Sequence, residues 1–117
     1  MVKILLVDDD QMNGKLLQSR LAKRGFECDF VSSGKECLGA LQVEDYALVL
    51  LDIMMPDMSG IEVLEELRKT KSNVELPIIM VTAKDETNDI VHALKKEAND
   101  YLTKPVNIDI AIARINT

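Results

Sequence analysis

The sequence predicts an α/β protein in which one parallel sheet is covered by helices on both faces. Apolar runs of strand length alternate, five times over, with stretches of helical spacing. The first, third and fourth runs are apolar throughout rather than alternating, as strands enclosed on both faces are. A strand–helix order repeated in this way with right-handed crossovers gives a doubly wound sheet. At 117 residues there is room for one core and none for a second independent domain.

The first run, Lys3–Val7, leads into a helix from Gln11 to about Arg24, in which Met12, Leu16, Leu17 and Leu21 recur at helical steps and Gly25 is the stop signal. The second run, Cys28–Val31, precedes a helix starting near Gly34, and the third, Ala47–Leu51, precedes one starting near Gly60. Both starts carry a capping-box pattern, Ser33-Gly-Lys-Glu36 and Ser59-Gly-Ile-Glu62, in which hydroxyl and carboxylate satisfy each other's backbone donors. The fourth run, Ile78–Val81, is followed by a helix from about Thr87 to Lys96, and the fifth, Asp100–Leu102, by one from about Asn107 to the end. The stretch Gly34-Lys-Glu-Cys-Leu-Gly39 has the two glycines of a phosphate-binding loop. Ala40 and Leu41 follow, however, where Lys and Ser or Thr are required, so it reads as a helix start.

Composition excludes several classes. A content of 47% hydrophobic and 29% charged residues is that of an ordinary globular domain. The longest apolar run, Ala47–Leu51, is too short to cross a bilayer, and no signal-peptide pattern precedes the first strand, so neither membrane contact nor secretion is expected. Cys28 and Cys37 lack metal-site spacing and are too few for a disulfide framework; they read as reduced thiols of a cytoplasmic protein. A formal net charge of -6 argues against this segment holding nucleic acid and is compatible with a monomer or a dimer.

In a doubly wound sheet, ligands sit outside the carboxyl ends of the strands. Here the first strand ends in Asp8-Asp9-Asp10, the third in Asp52 and the fourth in Thr82-Ala83, while the fifth leads into Lys104-Pro105. Each has an ordinary explanation alone: Asp10 as a helix cap, Asp52 as a turn residue, Thr82 as a loop hydroxyl, Lys104 as a surface cation. Together they make a rim that solvation does not explain. Asp8, Asp9 and Asp52 would repel one another unless a cation offset them, and the oxygen-only donor set calls for a hard divalent ion such as Mg2+. A carboxylate so held can attack a phosphoryl group in line, with Thr82 and Lys104 as donors to the transferring oxygens.

At these residues the sequence resembles the response-regulator receiver domains of two-component signalling. The matching stretches are Ile4-Leu-Leu-Val-Asp-Asp9, Leu51-Asp-Ile-Met-Met-Pro-Asp-Met-Ser-Gly60, Ile78-Ile-Met-Val-Thr-Ala83 and Asn99-Asp-Tyr-Leu-Thr-Lys-Pro105. The resemblance spans essentially the whole chain and implies a flavodoxin-like (βα)5 sandwich with strand order 2-1-3-4-5. It implies that Asp52 accepts a phosphoryl group from a sensor histidine kinase or a histidine phosphotransfer protein. Mg2+ would be held by the Asp9 and Asp52 side chains and the Met54 carbonyl, with Asp8 assisting through water. Lys104 and Thr82 would bind the phosphoryl oxygens, the Lys104-Pro105 bond would be cis, and Thr82 and Tyr101 would shift together on activation. The output face would be the fourth helix, fifth strand and fifth helix, at about Thr87–Lys96, Tyr101 and Asn107–Ile115, acting on an output domain or effector protein. At most slow self-dephosphorylation is expected, because Met54, which with Lys84 flanks the acceptor, carries no group to orient water.

Two departures from the family pattern stand out. Glu97 replaces the usual glycine before the fifth strand, which strains the turn if a left-handed conformation is needed. The final helix is short, and similar modules continue into an output domain, so residues 1–117 read as one receiver domain with room to be the N-terminal part of a longer regulator. Competing readings are weaker. A haloacid-dehalogenase-type phosphatase needs a second Asp two residues after the nucleophile, where Met54 stands. His92 as a phosphohistidine has no nucleotide-binding motif to serve it and reads as a surface residue. A degenerate receiver serving only for docking or dimerisation leaves the complete acceptor set without a use.

Overall fold

The computed structural model describes residues 2–83 and 87–117. The elements run β1 (Lys3–Val7), α1 (Gln11–Lys23), β2 (Glu27–Val31), α2 (Gly34–Val43), β3 (Leu48–Asp52), α3 (Gly60–Arg68), β4 (Ile78–Thr82), α4 (Thr87–Lys95), β5 (Asp100–Thr103) and α5 (Ile108–Ile115). All pairings are parallel, in the order β2-β1-β3-β4-β5, so the expected topology holds.

Side chains alternate across a strand, and the central strands accordingly feed two cores. Leu5, Val7, Val49, Leu51, Ile78 and Met80 point to one face and meet Cys37 of α2, Val63, Leu64 and Leu67 of α3 and Ala93 of α4. Ile4, Leu6, Leu48, Leu50, Ile79 and Val81 point to the other and meet Leu21 of α1 and Ala111 of α5. β3 and β4 are buried at every position, which is why their sequences do not alternate.

Three local expectations need correction. The apolar stripe of α1 is covered only in part: Leu21 is fully buried and Leu17 packs against the same core, but Met12 and Leu16 are 81% and 49% exposed. The capping box at Ser59 is complete, whereas at Ser33 only half of it forms. There the Glu36 carboxylate accepts from the backbone N–H of Ser32, one residue further out, and from the Ser32 hydroxyl. Asn107 is the cap of α5 rather than its first residue, its side chain accepting from the backbone of Asp109 and Ile110. Gly39 lies within α2, as the helix reading of that stretch requires.

The base of the sheet is tied by one residue. Arg68, at the end of α3, donates to the carbonyls of Lys71, Ser72, Leu76 and Glu97 and to the side-chain oxygen of Asn99. Glu97 there adopts φ 71, the left-handed conformation its position calls for despite its side chain. At the same end of the sheet Lys3 is paired with Glu44, Glu27 and Asp29 and lies over the Tyr46 ring.

Candidate functional site

Asp52 is the last residue of β3, 2% exposed, and its position is set by the apolar run before it. Asp8 follows β1 directly and is also buried, while its neighbour Asp9 is exposed. One carboxylate oxygen from each of Asp8, Asp9 and Asp52 can be chosen so that all lie within 4.8 Å of one another. Asp10 points elsewhere: it caps α1, accepting from the backbone and side-chain nitrogens of Asn13, and its own N–H donates to Asp8 Oδ1. That last bond fixes the Asp8 rotamer.

Lys104 reaches in from the β5–α5 connection. Its Nζ donates to Asp52 Oδ2 at 3.0 Å and lies 3.6 Å from Asp8 Oδ2. The peptide bond between Lys104 and Pro105 is cis, as expected. Burial pushes the Asp52 carboxyl up to about 6; Lys104 pulls the other way and the Asp8 charge adds to the rise. Burial opposes the ammonium of Lys104, yet the Asp52 and Asp8 carboxylates outweigh it and its pKa is raised. Both groups are thus shifted upward for different reasons: burial disfavours the Asp52 carboxylate, and the neighbouring carboxylates favour the Lys104 ammonium.

Thr82 ends β4, fully buried, beside Asp52 in the adjoining strand. Its hydroxyl donates to the carbonyl of Ala83 at 3.4 Å, leaving it without a strong partner among the described residues. The β4–β5 register pairs Met80 with Tyr101 and Thr82 with Thr103, so Thr82 and Tyr101 share one face of the sheet, two residues apart. Met54 follows the site with its side chain 60% exposed. Lys84, expected to flank the acceptor, lies outside the described residues. His92 is on the exposed side of α4.

Two features escaped the sequence reading. Gly60 packs its backbone against the Asp52 carbonyl so closely that any Cβ would strike it, and its N–H donates to Ile53 O at 2.8 Å. A glycine in the first turn of a helix, where better helix formers are favoured, was the available signal. Beside Asp8 and Lys104, a cavity of about 140 Å³ opens between α1 and the β5–α5 connection, lined by Leu6, Leu16, Leu17, Val81 and Pro105 among others.

The donor set fits a hard divalent cation. Three carboxylates offer oxygen ligands only, no His or Cys is among them, and the lone ammonium group beside them leaves net negative charge.

The site thus gathers, at one rim of an open parallel sheet, a buried acid at the tip of the central strand, two acids directly after the neighbouring strand and a lysine from the β5–α5 connection. The chain belongs to the response regulator receiver domain family, whose model matches residues 4–116. It is 48% identical over 115 residues to the transcriptional regulatory protein CpxR homolog of Haemophilus influenzae, covering 98% of this chain and 49% of that protein. To the transcriptional regulatory protein PcoR of Escherichia coli it is 38% identical over 117 residues, covering 100% of this chain and 51% of that one. The chain thus spans about half the length of these relatives. The response regulator TrrA of Thermotoga maritima, solved in complex with Mg2+ and BeF, superposes with a TM-score of 0.87 at 34% identity over 99% of this chain and 97% of that one. This chain is therefore a receiver domain of the two-component response regulators.

Proposed function

We propose that Asp52 is the phosphoryl acceptor of a Mg2+-dependent switch, fed by the phosphohistidine of a sensor kinase or a histidine phosphotransfer protein. The observation that carries this is the placement of Asp52, buried at the strand tip, 3.0 Å from Lys104 and beside Asp8 and Asp9. An Asp52 carboxylate oxygen forms the new bond to phosphorus while the phosphorus–nitrogen bond of the donor breaks and its imidazole leaves. Asp9, Asp52 and the Met54 carbonyl, with Asp8 in support, would hold Mg2+, which would supply charge neutralisation at the transferring oxygens. Lys104 would transfer its hydrogen bond from the Asp52 carboxylate to a phosphoryl oxygen. Thr82, whose hydroxyl has only a weak acceptor, is free to turn to another.

Loss of the Thr82 hydroxyl to the phosphoryl group leaves room on the shared face for Tyr101 to move inward. The output face is then α4, β5 and α5. Phosphorylation favours the active arrangement only by as much as the phosphoryl group binds it better. Dephosphorylation is slow, because Met54 positions no water. The chain acts on an output domain or a separate effector, does not itself bind nucleic acid, and works in the cytoplasm; no helix among the described residues is long and apolar enough to cross a membrane.

The test is labelling with acetyl phosphate and Mg2+, read by intact mass. A Mg2+-dependent gain of one phosphoryl group in the wild type, lost in Asp52→Asn, is expected. No gain, or a gain surviving the substitution, would move the reading to a docking module or to another acceptor.

A further inference from the structure

β5 is the edge strand, and Arg114 of α5 reaches around that edge. Its Nη1 lies 3.6 Å from Asp100 Oδ2, and its guanidinium lies 5.9 Å from the centre of the Tyr101 ring. The other oxygen of Asp100 accepts the Tyr101 backbone N–H at 2.8 Å, so Asp100 anchors the main chain of Tyr101 while steering the cation onto its ring. A second guanidinium nitrogen, Nε, is buried with no hydrogen-bond partner among the described residues. A guanidinium that leaves a buried N–H unpaired is held by its ring and carboxylate contacts rather than by an optimal hydrogen-bond geometry.

We infer that Arg114 is a positioning residue for Tyr101: by lying on the ring while paired with Asp100, it holds Tyr101 in its present half-buried rotamer and biases the domain towards the unphosphorylated arrangement. The inference rests on the proposed coupling between Asp52 and Tyr101. A cation over an aromatic ring is attracted to its face, and that attraction is lost when the ring turns away. An inward movement of Tyr101 therefore works against Arg114, which acts on the switch without touching the acceptor site. Asp100 takes part as the group that keeps Arg114 in place.

The chain contains two tyrosines and no tryptophan, which makes the test direct. Tyrosine rings are labelled with 13C, Tyr46→Phe assigns the two signals, and beryllofluoride with Mg2+ is titrated into the wild type, Arg114→Gln and Arg114→Lys, with bound fluoride followed by 19F NMR. In the wild type the Tyr101 signal should move on titration while Tyr46 stays. In Arg114→Gln, the free protein's Tyr101 signal should already lie part-way along that path, and the midpoint should fall about two- to five-fold, the size of a cation–ring contact at a partly exposed site. Arg114→Lys, which keeps the charge, should lie between. A Tyr101 signal in Arg114→Gln that leaves that path with an unchanged midpoint would reduce Arg114 to packing and overturn the inference. Bound fluoride that does not move Tyr101 in the wild type would overturn it while leaving Asp52 as acceptor. No bound fluoride at all would overturn both.

Discussion

Lys104 Nζ lies 3.0 Å from Asp52 Oδ2, close enough to donate to the acid it is proposed to serve. The same ammonium is 3.6 Å from Asp8, so it neutralises part of the charge that would otherwise attract a metal. Two effects of its removal then oppose each other. Lys104→Gln should bind Mg2+ several-fold more tightly, since a competing cation has gone, yet label with acetyl phosphate about 10²-fold more slowly for want of a preorganised donor. Calorimetry and mass labelling on one variant would separate the two, and weaker Mg2+ binding would show that Lys104 organises the acids instead of competing for them.

The raised Asp52 carboxyl makes stability depend on pH. Its folded value, about 6, lies above the 3.8 of an unperturbed group, so between those values the unfolded chain has lost a proton that the folded one keeps. Stability from this group is present below pH 4 and is lost as pH rises through 6. That rise, from 3.8 to about 6, corresponds to at most about 3 kcal/mol. In chelator, urea midpoints of the wild type should therefore fall relative to those of Asp52→Asn between pH 4.5 and 7.5. Adding Mg2+ at pH 7.5 should restore more to the wild type than to the variant.

At Gly60, beside the site, a side chain has no space. A Cβ would strike the carbonyl of Asp52, which belongs to β3 and cannot move aside as a flexible side chain could. Gly60→Ala should cost about 1–3 kcal/mol and displace Asp52. Chemical denaturation and Mg2+-dependent labelling should both decline, and a variant as stable and as reactive as the wild type would refute the account.

Glu97→Gly should act in the other direction. Relieving a left-handed non-glycine residue is worth about 1–2 kcal/mol, less the added freedom of glycine in the unfolded chain, for a net gain near 1 kcal/mol. An unchanged or lowered denaturation midpoint would mean that the Arg68 bond to the Glu97 carbonyl already absorbs the strain.

Met54 bears on lifetime. With its side chain 60% exposed and no polar group to hold a water, the phosphorylated form should persist well beyond seconds, and Met54→Glu or Met54→Asn should change the decay rate. An unaltered rate, followed by loss of mass label after removal of the donor, would sink the explanation.

Most of this architecture was legible because it rests on periodicity. Runs such as Leu48–Leu51 can be buried only between two layers, and their ends point to Asp52, Thr82 and Lys104 without further information. What was not legible depended on contacts across the chain. The spacing of Met12 and Leu16 reveals a helix face but not whether another element covers it. Glu36 could reach Ser33 or Ser32, and backbone angles decided which. Asp57 takes φ 60 in the turn before α3, where no glycine announced it. Arg68 looked like any basic residue ending a helix, since nothing local reveals that carbonyls from distant segments converge on it. At the site itself, the acids and Lys104 do come together and Asp10 is the helix cap its position allowed, while Gly60 is a necessity of close approach that spacing did not reveal.

That convergence on Arg68 has a mechanical consequence. Lysine could not substitute for it, since a planar fork spreads its donors over several acceptors where an ammonium offers a compact point. The foot of α4 is pinned through Glu97 to α3 and to the entrance of β4. α4 is thus a lever clamped at its far end, and any displacement started at the tip of β4 grows along the helix toward Thr87 while the base of the domain stands still.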